Sequence, residues 1–227
     1  MTKYYDHDLW HERKLKEIQK NGFKYKVSQS FFLMDALAYE NAPDKPCELL
    51  DLGCGIGDIS IGFSELGFNV TGLEYSPVAH GKSLELAKQA NQNVAFVKGD
   101  VLEADKLLPV GKWDFVTAVN LLHCLVDSSD RNKFYAILKK LMKPGTGKFY
   151  LTSMCGIPGK EIARMTKVDP VTRVGSNGTR IHLEPETITK ELTANGLKII
   201  EHRLFEYTND TEPGFETRDI SVLGTIT

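Results

Sequence analysis

Between Glu48 and Asp58 the chain reads Glu-Leu-Leu-Asp-Leu-Gly-Cys-Gly-Ile-Gly-Asp, a short apolar stretch that runs into three glycines at alternate positions. Apolar runs of this length suit a strand buried on both faces, and such strands belong to parallel sheets covered by helices. Gly53, Gly55 and Gly57 then permit a turn that side chains would obstruct, because glycine accepts positive φ and lets a ligand approach the backbone. A strand, a ligand-binding turn and a helix are therefore predicted in succession, which sets the class as α/β. Spacing narrows the ligand. A dinucleotide fingerprint, G-x-G-x-x-G, needs its third glycine at position 58, which is Asp58; the pattern here is G-x-G-x-G, with Asp51 ahead of it.

Glycines spaced in this way behind an acidic residue resemble the first motif of class I S-adenosylmethionine (SAM)-dependent methyltransferases. A Rossmann-like site also needs an acid roughly 20 residues further on, at the end of the second strand, for the ribose hydroxyls. Glu74 meets that need, closing the run Phe68-Asn69-Val70-Thr71-Gly72-Leu73, and Pro77 stands where a helix can begin. Asp100 follows Val94-Ala95-Phe96-Val97 as a second carboxylate; in the family this acid accepts a hydrogen bond from the adenine amino group and the next residue, Val101, packs on the ring. Trp113 to Asn120 resembles the fourth strand, and Leu141 to Leu151 the family's helix, Pro-Gly turn and fifth strand. The resemblance implies SAM as cofactor and S-adenosylhomocysteine as product. It implies cofactor contacts at Asp51, Gly53, Cys54, Gly55, Gly57, Glu74, Tyr75, Asp100, Val101 and Asn120.

The expected fold is a doubly wound, mostly parallel seven-stranded sheet with an antiparallel last strand, helices on both faces and an N-terminal helical lid. A chain of 227 residues that is 41% hydrophobic has the length and core for one such domain. Residues 1–45 are expected to form the lid, 46–154 the SAM-binding core, 155–184 a connection over the active site, and 185–227 a closing helix and strands. Helical stripes support the alternation: Ile59, Phe63 and Leu66; Ala79, Leu86 and Ala90; Phe134, Ile137, Leu138 and Leu141, with Asp130 placed to cap the last. Pro185 and Asn195-Gly196 bracket a further helix. Leu197 to Phe205 and Asp219 to Ile226 read as the closing strands.

A formal net charge of -2 gives no basic footprint for a polyanion, so nucleic acid is not expected as a partner. No apolar run approaches the ~20 residues that span a bilayer, and the N-terminus lacks a signal-peptide core, so a cytoplasmic monomer or homodimer is expected. Cys47, Cys54, Cys124 and Cys155 form no C-x-x-C pair, which argues against a zinc ribbon or redox motif. Cys54 lies within the glycine turn, where a small residue packs beneath a ligand; a catalytic thiol is the weaker reading.

His123 follows the fourth strand and is the candidate general base, since an imidazole accepts protons near neutral pH; the alternative is a histidine hydrogen-bonded beneath the lid. Arg180 and His182 alternate at the end of the long connection and are candidates for substrate binding if that segment is extended. The alternative is a solvated arginine and a loop-capping histidine. Trp10 and Tyr25 belong to an aromatic N-terminal segment suited to covering a ring or sulfonium, although core anchoring also explains them. His7 and His11 lack the H-E-x-x-H pattern and read as surface residues, so no metal is expected.

The preferred function is methyl transfer from SAM to an oxygen, nitrogen or sulfur of a small metabolite or natural-product intermediate. A peptide- or protein-terminus N-methyltransferase, a non-catalytic SAM-binding module and a nicotinamide-dependent oxidoreductase remain as alternatives. Fourth-strand residues Asn120-Leu121-Leu122-His123 differ from the Asn-Pro-Pro-Tyr-like motif of enzymes that methylate exocyclic amines.

Overall fold

The computed structural model describes residues 43–44, 46–155, 171–174, 180–208 and 216–226. Its strands are β1 (Glu48–Leu52), β2 (Asn69–Glu74), β3 (Ala95–Lys98), β4 (Phe115–Ala118), β5 (Lys148–Cys155), β6 (Leu197–Thr208) and β7 (Glu216–Ile226). Its helices are α1 (Asp58–Glu65), α2 (Pro77–Gln89), α3 (Ala104–Leu107), α4 (Ser128–Leu141) and α5 (Pro185–Ala194). Short 3-10 turns occupy Val101–Glu103 and Leu122–Cys124.

The strands make one seven-stranded sheet in the order β3-β2-β1-β4-β5-β7-β6. Pairing is parallel from β3 through β5, and β7 runs antiparallel to both β5 and β6. This is the expected mixed sheet. The order reverses between β1 and β4, so their carboxyl ends flank the crevice where open α/β sheets take ligands.

Alternation along the strands sends side chains to two cores. Leu50, Leu52, Val116, Phe149, Leu151, Ile220 and Val222 pack with Phe134, Ile137, Leu138 and Leu141 of α4 and with Ile188 and Leu192 of α5. Leu49, Val70, Phe115, Tyr150 and Leu223 face the other way, onto Ile61 and Phe63 of α1 and Ala79 and Leu86 of α2. Proline fixes two helix starts: Pro77 opens α2 behind Ser76, whose hydroxyl accepts from Ala79 N, and Pro185 opens α5. Gly196, at φ 74, follows the end of α5 as expected.

Three boundaries differ from the sequence expectation. β4 stops at Ala118 because Asn120 takes φ 56, which breaks the extended run, while Trp113 is bridged to Met142 instead. Helix α4 starts at Ser128 behind Asp127, so Asp130 does not cap it; Asp130 lies in the first turn, where a negative charge suits the helix dipole. The closing strands run to Thr208 and from Glu216, longer than their apolar cores. Residues 1–42 of the expected lid, with Trp10, Tyr25, His7 and His11, lie outside the described residues, as do 156–170 and 175–179 of the connection.

Candidate active site

At the end of β1 the chain turns on Gly53, Gly55 and Gly57, at φ 71, 59 and 81. All three occupy the left-handed region that a side chain disfavours. The turn is tied to β2, since Gly53 N and Cys54 N both donate to Leu73 O, at 2.8 and 3.1 Å. At Gly57 there is also no room, because a Cβ would lie 2.6 Å from Phe96 Cζ and 3.0 Å from Ser83 Cβ.

Two carboxylates hold this turn. Asp51 is 1% exposed, and its oxygens accept from Ser60 Oγ at 2.6 Å and Thr117 Oγ1 at 3.0 Å. It therefore bolts β1 to α1 and β4 from beneath the glycines. Burial pushes its pKa up to about 6, against the lowering pull of those two hydroxyls and with the charges of Asp58 and Glu74 adding to the rise. Glu74 ends β2, and its carboxylate accepts from Gly55 N at 2.8 Å and Ser76 N at 2.7 Å. Cys54 is buried between these acids. Burial first, then the charges of Asp51 and Glu74, push its thiol well above the ordinary range, which keeps it protonated and unreactive.

The expected adenine-side residues stand at the carboxyl ends of the next strands. Asp100 follows β3 and accepts from Leu102 N at 2.9 Å, so the carboxylate caps a 3-10 turn. Val101 is buried beside it, and Tyr75, directly after Glu74, is 44% exposed. Beyond the switch point, Asn120 N donates to Thr152 Oγ1 at 2.8 Å, anchoring the exit of β4 to β5.

His123 lies in the 3-10 turn after β4 and is buried. Met154 N donates to His123 Nδ1 at 3.2 Å. A neutral imidazole has one acceptor nitrogen, so this bond assigns the ring proton to Nε2. The candidate base is thus anchored through its ring to the end of β5. Its carbonyl accepts from Ile181 N at 2.9 Å, which brings the end of the long connection to the exits of β4 and β5. Arg180 follows: its Nη1 lies 3.6 Å from Met154 Sδ. His182 is 3% exposed. Burial, then the charges of Arg180 and Arg173, push its pKa down to about 4, so it is neutral at physiological pH.

Some participants carry no sequence motif. Ser60 and Thr117 become visible only once α1 and β4 meet Asp51. Asp219 pairs in register with Met154 and Phe205, so the three share one face of the sheet. Burial pushes Asp219 up to about 6, within reach of proton transfer near neutral pH. Among the described residues, no group of three or more His, Cys, Asp or Glu could hold a metal ion.

A glycine turn at a topological switch point, an acid closing β2 and another following β3 together define a nucleoside-binding α/β site of methyltransferase type. Residues 49–145 match the methyltransferase domain family. An O-methyltransferase of ubiquinone biosynthesis from Xanthomonas axonopodis pv. citri is 28% identical over 175 residues, covering 72% of this chain and 68% of that protein. Ajmaline N-methyltransferase from Rauvolfia serpentina is 30% identical over 118 residues, 49% of this chain and 39% of that protein. A SAM-dependent methyltransferase structure from Methanosarcina mazei superposes with a TM-score of 0.65 at 19% identity, covering 83% of this chain and 97% of that one. Residues 49–145 thus carry a methyltransferase domain, and the described chain shares the fold of the SAM-dependent methyltransferase structure it superposes on.

Proposed function

We propose that this protein transfers the methyl group of SAM to an oxygen, nitrogen or sulfur of a small metabolite by in-line displacement, leaving S-adenosylhomocysteine. The observation that carries this is Glu74 at the end of β2 with its carboxylate on Gly55 N, 2.8 Å away. Gly55 N and Ser76 N fix this carboxylate at the carboxyl end of β2, the place from which a Rossmann-like site reaches the ribose hydroxyls. The residues present therefore fit an adenosyl ligand. In this assignment the turn of Gly53, Cys54, Gly55 and Gly57 lies against the methionyl part, supported by Asp51. Glu74 and Tyr75 serve the ribose side, Asp100 and Val101 the adenine, and Asn120 the edge facing the acceptor.

When bound, SAM supplies a methyl group already activated on a sulfonium. The chain's own task is then mainly to position the acceptor, and good orientation is worth on the order of 7–11 kcal/mol. His123 orients it as a hydrogen-bond donor, with Asp219 as the carboxylate available to accept a proton. Arg180 and His182 stand on the acceptor side. The relatives' names, one an O- and one an N-methyltransferase, fit a small organic acceptor.

The same proposal takes the whole chain as one domain acting without nucleic acid, as a monomer or homodimer. Its four free cysteines fit a reducing cytoplasm. Among the described residues no helix is long and apolar enough to cross a membrane.

Calorimetric titration with SAM, S-adenosylhomocysteine and NAD tests it. The first two should bind and the third should not. Gly57→Val should abolish binding and Glu74→Ala weaken it about tenfold or more, through lost hydrogen bonds to a charged group. Unchanged affinity in both variants would place the cofactor elsewhere.

A further inference from the structure

Asp219 stands near the start of β7, beside the last residues of β5. In the antiparallel ladder it lies opposite Met154 of β5 and Phe205 of β6, so a carboxylate, a thioether and an aromatic ring share one face of the sheet. Met154 is also the residue whose amide holds the His123 ring, which puts this rung beside the exit of β4. Two residues along β7, on the same face, Ser221 lies opposite Thr152.

Asp219 is half-buried, and among the described residues it makes neither a hydrogen bond nor an ion pair. Ser221 is fully buried, and its Oγ has no hydrogen-bond partner. Carboxylates taken out of water are normally paired with a positive charge. The charged side chains nearby do not fill that place. Arg203, on the rung of Ser221, bonds Glu201 at 2.7 Å, and Arg218, next to Asp219 in the chain, belongs to the opposite face. Arg180 packs with its Nη1 3.6 Å from Met154 Sδ. Burial accounts for the rise of the Asp219 carboxyl to about 6, with no cation pulling it down.

We propose that Asp219 receives the ammonium group of the methyl acceptor, beside the Met154 thioether and the Phe205 ring, and takes up the proton that this group must lose before transfer. The inference rests on the methyltransferase function above and narrows the acceptor to an amine. An ammonium brings several N–H donors and one positive charge, whereas an ionised carboxylate only accepts and the Ser221 hydroxyl can accept as well. An aromatic face attracts the same cation. A hydroxyl or thiol acceptor brings a single donor and no charge, and would leave the carboxylate uncompensated. The proton step balances within the pair: R–NH3+ and the carboxylate give R–NH2 and the carboxylic acid, and the nitrogen keeps the lone pair needed for attack. Burial favours this exchange, since both partners lose their charge.

The test uses the full chain saturated with S-adenosylhomocysteine, so that the cofactor's own ammonium is already placed, and labelled with 13C in the aspartate carboxyls. Benzylamine, cationic at neutral pH, and its neutral analogue benzyl alcohol are titrated against it. Benzylamine should bind saturably and bring the Asp219 carboxyl below about 6, and benzyl alcohol should do neither. Asp219→Asn should weaken benzylamine roughly tenfold, as expected for a lost hydrogen bond to a charged group, with S-adenosylhomocysteine affinity unchanged, and Asp219→Glu should restore part of the loss. Equal responses to both probes, an Asp219 carboxyl that benzylamine leaves in place, or wild-type benzylamine affinity in Asp219→Asn each overturn the proposal. So does a loss of S-adenosylhomocysteine affinity in a folded Asp219→Asn variant, which would assign the carboxylate to the cofactor. The wild-type titration decides the matter even where the variant does not fold. A protein that takes up no S-adenosylhomocysteine at all sinks the methyltransferase function as well, whereas uptake with no benzylamine effect sinks only the amine acceptor.

Discussion

Arg131 and Arg173 each have a glutamate within 2.9 Å, yet their surroundings differ in kind. Arg131, on α4, is 4% exposed and meets Glu191 of α5 with two aligned bonds, Nε to Oε2 at 2.9 Å and Nη2 to Oε1 at 2.8 Å. Its Nη1 donates to the carbonyls of Leu125 and Val126, and Tyr135 adds a hydroxyl to Glu191 at 3.2 Å. Arg173 has a glutamate at the same distance but its Nη2 makes no aligned bond to it, with orphaned atoms on both partners and on His182 nearby. A closed network of this kind fixes architecture, here the packing of α5 on α4. An open one near the end of a sheet keeps capacity for something that arrives later. Buried charge alone does not tell the two apart; completeness of hydrogen bonding does.

Breaking the closed network should have the largest effect. Glu191→Ala leaves the Arg131 charge buried without its carboxylate and should cost roughly 3 kcal/mol of stability, read by urea denaturation. A loss below 1 kcal/mol would show that the two carbonyls suffice for Arg131. Next comes the pH dependence of the open cluster. His182 has a folded-state pKa of about 4 against an ordinary value near 6.5, so the unfolded chain takes up this proton first. Its contribution is present above pH ~6.5 and is lost as pH falls towards ~4. Asp51 and Asp219, pushed up to about 6, act in the opposite sense because the folded state protonates them first. His182→Gln removes only the histidine contribution, and should therefore lose less stability than wild type between about pH 7 and pH 5. Identical losses would mean that His182 is already partnered or solvated.

Smaller again, Tyr135→Phe deletes one hydrogen bond to a carboxylate that keeps two others, a loss of about 1 kcal/mol.

Much of the glycine turn and its surroundings was legible because it is local in sequence. Three glycines, an acid about 20 residues on and a proline at a helix start act over spans that a single turn decides, and the parallel part of the sheet follows from alternation. The region around His123 was harder to read, since its parts meet only in space: Met154, His123 and Ile181 come from three separate segments joined by hydrogen bonds. His123 shows this most clearly. Its position after β4 was legible, but the amide that bonds its Nδ1 comes from Met154, 31 positions later. Asp219 escaped notice because a lone carboxylate at a strand start looks solvated until its neighbours across the sheet are known. Strand ends were misjudged for a related reason, as ladder pairing carries β6 and β7 past their apolar cores.

One consequence of the glycine turn concerns how this protein can change. A Cβ at Gly72 would lie 2.8 Å from both Cys54 Sγ and Phe96 Cδ1, and Phe96 also fills the space a side chain at Gly57 would need. Positions 54, 57, 72 and 96 thus share one fixed volume, and mutational drift at any of them is constrained by the other three. Enlargement at Gly72 is open only to lineages that have already trimmed Cys54 or Phe96, whereas Gly57, at φ 81, stays closed to them even then.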